Sequence, residues 1–145
     1  MNEFLNHLEI KPLDETSVRM MNPLKLAYIG DAVYELYIRT FMISRANKTP
    51  HEMNKLALKY VKASSQAQIV RSLQDYLTEE EWDLIKRGRN QKTPTVPKNA
   101  SLSDYRYATG FETLLGYLHL IGNHVRLSQI ISRAIINIEN EVSND

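Results

Sequence analysis

A chain of 145 residues, with 43% hydrophobic and 24% charged side chains and a formal net charge of +1, has the size and mixture of one globular domain with a single sizeable core. It contains no cysteine, which excludes disulfide frameworks and thiolate metal centres and is compatible with a reducing cytoplasm. The N-terminal MNEFLNHLEIKPLDE carries acids early and no long apolar run, so it reads as neither a signal peptide nor a membrane span, and a soluble cytoplasmic protein is expected.

Along the chain the elements are helical. Asn22 and Pro23 predict a helix start, with proline where a missing N–H costs nothing, and the segment continues to about Ile43. Within it, LAYIGDAVYELY (26–37) sets Asp31 on a stripe with Leu24, Ala27, Tyr28, Glu35 and Ile38. A carboxylate on the apolar side of a helix calls for a metal ion or another cation, and a structural ion pair with arginine stays open as the alternative. Gly30 costs roughly 1 kcal/mol against alanine inside a helix, which predicts that another helix or a ligand comes close to the backbone there.

Thr49, Pro50 and Glu52 spell a capping box for a second helix through about Lys62. Ser64 permits a break before SQAQIVRSLQDYL. Thr78 and Glu81 form a further capping box, Trp82 and Ile85 supply an apolar side, and Gly88 fits a C-terminal cap. Ser103 is the expected cap of a helix that carries Glu112 and runs to about Ile121, ending at Gly122 and Asn123. The last helix, about His124 to Glu141, shows Val125, Ile130, Ile131, Ala134, Ile135 and Ile138 at helical steps. No segment reads as a strand, so the expected fold class is all-α.

Thr109, Glu112 and Gly116 share one face, so a second carboxylate is again flanked by small residues that admit another helix. If the two faces pack, Asp31 and Glu112 share a pocket, and facing carboxylates repel unless a cation or a proton lies between them. Mg2+ suits such oxygen ligands because it keeps several waters and takes one or two carboxylates from the protein. Asp104 and Glu35 are further acids within helical reach. Asp104 also suits a first-turn acid at a helix N-terminus, and Glu35 an ion-pair or supporting role. The histidines, His7, His51, His119 and His124, are spaced too irregularly for a metal motif.

The near-neutral net charge hides a local asymmetry. Between Leu84 and Ser103 there is no acid, while Lys86, Arg87, Arg89, Lys92 and Lys98 stand among Gly88, Pro94 and Pro97. A basic loop of this kind grips backbone phosphates without reading sequence, and RNA contact is the expected role.

LAYIGDAVYELY resembles the signature helix of the ribonuclease III family, and FETLLGYLHL (111–120) its second carboxylate helix. KRGRNQKTPTVPKN (86–99) and SDYRYATGFETLLGYLHL (103–120) are similar in particular to the short bacterial Mini-ribonuclease III branch, which has the catalytic domain without a double-stranded RNA-binding domain. The likeness covers roughly residues 17–140 and implies one helical catalytic domain over 1–145. It also implies a homodimer with the signature helices near the two-fold axis and Mg2+-dependent cleavage of double-stranded RNA to a 5′-phosphate and a 3′-hydroxyl. Asp31 and Glu112 carry over as catalytic metal ligands. Ala27 and Thr109 stand where larger members have two more carboxylates, so a third acid must come from elsewhere. The branch is associated with trimming the duplex stem of the precursor of large-subunit (23S) ribosomal RNA, helped by a ribosomal protein on the substrate. Two other readings remain: an inactive domain serving as an RNA-binding or ribosome-assembly scaffold, and a helical protein-interaction module.

Overall fold

The structure is a computed structural model. It describes residues 2–11, 13–45, 47–92 and 101–144, with side chains as far as Glu141. The described residues form helices α1 (Asn2–His7), α2 (Glu15–Arg19), α3 (Pro23–Arg45), α4 (Pro50–Val61), α5 (Ala63–Ser72), α6 (Glu79–Arg89), α7 (Leu102–Leu120) and α8 (His124–Asn144), and no strand. The all-α expectation holds, and the short N-terminal helices α1 and α2 are additions to it. None of the described helices is long and apolar enough to cross a membrane.

Local chemistry sets most of the boundaries. Asn22 Oδ1 accepts the Leu24 N–H at 2.9 Å ahead of α3. The Thr78–Glu81 box is complete: Thr78 Oγ1 accepts the Glu81 N–H at 3.1 Å, and Glu81 Oε1 accepts the Thr78 N–H at 2.9 Å. At α4 only half of the expected box forms, with Thr49 Oγ1 accepting the Glu52 N–H at 3.3 Å. The break before α5 falls at Lys62, two residues earlier than Ser64, and has no side-chain cap. Ser101 replaces Ser103 as the cap of α7. Its hydroxyl accepts the Asp104 N–H at 3.2 Å, which puts Asp104 in the first turn beside the unpaired amides.

Gly88 is also not a C-terminal cap. It lies inside α6, buried, where a Cβ would collide with the Thr113 side chain and the Gly110 backbone of α7. The glycine serves close helix packing, and Asn90 ends the helix instead.

The centre of the fold is α7, buried from Ala108 to Leu118 except at Glu112 and flanked by α3, α5 and α6. Tyr34 packs edge-on to Phe111 with ring centroids 5.3 Å apart and donates its hydroxyl to the Tyr60 carbonyl at 2.9 Å, so α3, α4 and α7 are tied at one point. α8 closes the other side through Leu127, Ile130, Ile131, Ala134 and Ile138. Arg126 from α8 reaches Glu81 with Nε and Nη2, both at 2.7 Å, and so braces the start of α6.

The buried face of α3 differs from the expected stripe. Leu26, Gly30, Val33, Tyr34, Ile38 and Met42 point inward, while Leu24 and Tyr28 are exposed. Apolar residues nearly encircle α3, so its core side is decided by where α7 arrives, and α7 arrives at Gly30.

Candidate active site

Glycines set the approach of α3 and α7. A Cβ on Gly30 would run into the Glu112 carbonyl, and one on Gly116 into the Leu26 carbonyl, so the two backbones touch where neither helix has a side chain. Asp31 follows Gly30 and turns toward the rim of the crossing. It is exposed, which corrects the expectation of a carboxylate on the buried side of α3.

Glu112 comes up from α7 beside it, half-buried. The pair opens into a pocket of about 610 Å³ whose lining includes Ala27, Tyr28, Glu35, Tyr105 and Thr109. Burial pushes the Glu112 carboxyl up to about 9, helped by a hydrogen bond to Asp31 and by the negative charges of Asp31 and Glu35. Near neutral pH, without metal, Glu112 therefore keeps its proton.

The remaining acids sort by position. Glu35 is at the pocket, held by Arg39 at 2.9 Å. Asp104 lies at the start of α7 and pairs with Arg71 at 3.3 Å, away from the pocket. Thr109 and Ala27 line the pocket without charge, and the Thr109 hydroxyl is spent on the Tyr105 carbonyl at 3.0 Å. Neither His119 nor His124 lines it; their rings pack on each other at the α7–α8 turn, 5.8 Å apart.

Two adjacent carboxyls, with the proton kept on Glu112, form a donor set fit for a hard divalent cation, which would replace that proton. Among the described residues no group of three or more His, Cys, Asp or Glu is assembled for a metal.

The basic segment divides as well. Lys86 and Lys92 are exposed, and Lys98 lies outside the described residues. Arg87 is committed to the fold: Nη1 donates to the Arg19 carbonyl at 2.7 Å and Nη2 to that of Met21 at 3.4 Å, holding the turn between α2 and α3. Two of its five N–H donors are thus used within the fold, where the sequence had suggested a loop cation. Arg89 is half-buried with its guanidinium 5.6 Å from the Tyr107 ring centre. Tyr105, which lines the pocket beside Asp31 and Glu112, was missed by sequence reasoning; its place one turn before Thr109 was the available signal.

The family model of the ribonuclease III domain matches residues 24–123. The chain belongs to the ribonuclease III family. Mini-ribonuclease 3 of Clostridium tetani is 49% identical over 129 residues, covering 88% of this chain and 85% of that protein. Mini-ribonuclease 3 of Thermoanaerobacter sp. is 47% identical over 139 residues, 96% of each chain. A crystal structure of a Fusobacterium nucleatum protein superposes with a TM-score of 0.73 at 30% identity, covering 86% of this chain and 97% of that one. Within the family this chain falls with the Mini-ribonuclease 3 members and is an endoribonuclease. Both carboxylates and the pocket around them lie inside the matched span.

Proposed function

We propose that this ribonuclease is a Mg2+-dependent enzyme that cuts double-stranded RNA, with Asp31 and Glu112 as the metal ligands of its catalytic site. The observation that carries this reading is the meeting of those two carboxyls in an open pocket at the glycine-lined crossing of α3 and α7.

In this mechanism Asp31, exposed at the rim, and Glu112, deeper in the pocket, would hold the cation from two helices whose spacing is set by Gly30 and Gly116. The ion, when bound, supplies an acidified water and positive charge for the phosphodiester as negative charge builds up on it. Glu112, once deprotonated, would hold the ion as a carboxylate. Glu35, steadied by Arg39, orients water at the pocket edge and takes over part of the role vacated at Ala27 and Thr109. Tyr28 and Tyr105 add aromatic surface to the pocket lining.

A homodimer completes the reading. The outer side of α3 presents Leu24, Tyr28 and Leu36, with Tyr28 83% exposed, and a second copy covering that stripe would put two pockets near a two-fold axis. Such a dimer cuts both strands of an A-form duplex by shape and backbone contact, with little sequence readout. The expected substrate is the duplex stem of the 23S ribosomal RNA precursor, presented with a ribosomal protein in the cytoplasm. Support for that last step is the likeness to Mini-ribonuclease 3 members.

The test is cleavage of a labelled perfect RNA duplex with Mg2+ by the wild type and Asp31→Asn, with binding of the same duplex recorded in Ca2+. Loss of cleavage with binding retained is the expected result. A wild type that binds tightly and never cuts would instead assign the chain to the scaffold reading.

A further inference from the structure

The three most deeply buried tyrosines have their hydroxyls answered inside the fold. Tyr34 donates to the Tyr60 carbonyl at 2.9 Å, Tyr60 to Glu139 at 3.1 Å and Tyr117 to Glu15 at 3.0 Å. Tyr105 is different. It is half-buried, it lines the pocket that holds Asp31 and Glu112, and its hydroxyl has no partner among the described residues. It stands seven residues before Glu112 on α7, close to two full turns. The two residues therefore share a face of one rigid helix, about 10 Å apart along its axis at ~1.5 Å per residue.

The chemistry of the pocket says what that hydroxyl can meet. Among the described residues the lining holds three acids, Asp31, Glu35 and Glu112, and no lysine or arginine. A phosphate group beside Tyr105 would find no cation there, whereas a sugar hydroxyl is neutral and, like the phenol, both donates and accepts. Thr109 stands between Tyr105 and Glu112, but its hydroxyl already donates to the Tyr105 carbonyl at 3.0 Å. Tyr28 is 83% exposed, so water competes for its hydroxyl. Tyr105 is thus the neutral, partly desolvated donor in the lining that has nothing to bond. The 2′-hydroxyl is the group by which a protein tells RNA from DNA at a given position.

We propose that Tyr105 reads the sugar of the substrate, by a hydrogen bond between its hydroxyl and the ribose 2′-hydroxyl of a nucleotide near the scissile phosphodiester, and so contributes to the choice of RNA over DNA. The proposal rests on the reading of this chain as a nuclease of double-stranded RNA. Given the separation of Tyr105 from Glu112 along α7, the sugar that is read lies beside the cut rather than at it. A deoxyribose at that position leaves the phenol without its partner, and a polar group that loses its partner on desolvation penalises the wrong sugar. Because one helix carries both residues, a strand held at Tyr105 is also held in register with the carboxylates.

The experiment is a single-turnover cleavage series in Mg2+ with the wild type and Tyr105→Phe. The substrates are a perfect RNA duplex with a mapped cut and copies of it that carry one 2′-deoxynucleotide at successive positions flanking that cut. Phenylalanine keeps the ring and removes only the oxygen, and circular dichroism with thermal melting checks the fold. At one position the deoxy sugar should slow the wild type about fivefold, the scale of one neutral hydrogen bond. Tyr105→Phe should cut the all-ribose duplex about fivefold more slowly and lose nothing further at that position, while it keeps the wild-type response at every other. Such non-additivity marks a direct contact, since a purely structural role slows all substrates by one factor. Tyr105→Phe with the wild-type rate on the all-ribose duplex overturns the proposal, and so does a slowed variant that keeps the deoxy penalty at every position. A wild type that cuts the duplex and is indifferent to the deoxy sugar at every position overturns it without help from the variant and leaves the nuclease reading standing. A wild type that never cuts the duplex removes both.

Discussion

Glu81 and Glu112 are two glutamates withdrawn from water in the same small bundle, and their surroundings drive them in opposite directions. At Glu81 burial raises the carboxyl's pKa, but hydrogen bonds from Arg126 and the Thr78 amide, with the Arg126 charge, outweigh it and leave the group below its ordinary value. At Glu112 burial raises the pKa and Asp31 and Glu35 raise it further, to about 9. One region satisfies its charge from within the chain and so locks α6 to α8. The other leaves its charge to be satisfied from outside, which is the mark of a site that binds something. Removing a carboxylate should therefore damage the fold at the first place and the chemistry at the second.

The largest effect belongs to the second region. Glu112→Gln should lower duplex cleavage in Mg2+ by about three orders of magnitude or more, since it removes one of the two proposed metal ligands. A single-turnover assay reads this, and residual cleavage within about tenfold of wild type would take Glu112 out of the site. Gly30→Ala should be next and should not separate fold from function, because its methyl would strike the Glu112 carbonyl. Overpacking against backbone at this crossing should cost about 3 kcal/mol and lower the melting midpoint by roughly 10 °C. An unchanged midpoint would mean that the helices can separate there freely.

At the first region, Arg126→Ala leaves Glu81 with its Thr78 partner alone and strips the carbonyl of Tyr76 of a donor. The expected loss is about 2 kcal/mol, below the range for a fully buried pair because both groups keep some exposure to water. Urea unfolding measures it, and duplex cleavage below the melting transition should stay near wild type.

How much of this contrast can be read in the residues depends on the range of the interaction. The Thr78–Glu81 box and the close approach at Gly30 follow from neighbours in sequence, and both appear as expected. The pairing of Asp31 with Glu112 followed from two small-residue faces that each needed a partner. The burial of Asp31 was misjudged because α3 is apolar on almost every side, so periodicity could not say which side meets the core. Arg87 read as a loop cation because its carbonyl partners lie far away in sequence, at Arg19 and Met21. The same distance in sequence hid the Arg126–Glu81 brace. Serine spacing alone could not choose between Ser101 and Ser103, since either leaves an amide within reach.

The pH dependence of stability sharpens the comparison further, with opposite signs at the two glutamates. Glu81 has a folded pKa below its ordinary 4.5, so its contribution is present above 4.5 and is lost as acid protonates the folded state. Glu112 has a folded pKa raised from 4.5 to about 9, so its contribution is complete below 4.5 and drains away as the pH climbs toward 9. Metal-free protein should thus melt at a lower temperature at pH 8 than at pH 6, and Glu112→Gln should flatten that slope and raise the midpoint at pH 8 by a few degrees, about 3 °C per kcal/mol. A wild-type midpoint that does not fall between those pH values, or a variant that falls as steeply, would mean that the pair does not store this repulsion.

The smallest effect tests Glu35, which stands between the two regimes: paired with Arg39 like the structural acids, yet at the mouth of the pocket. If it supports the ion through water as proposed, Glu35→Gln should weaken Mg2+ affinity by about tenfold, measured by calorimetry, while the melting midpoint of the metal-free protein rises slightly as one negative charge near Glu112 disappears. A supporting role toward the ion requires both changes. Weaker Mg2+ binding without the rise would place Glu35 too far from Glu112 to matter electrostatically, and the rise without weaker binding would make it a bystander whose charge Arg39 already handles.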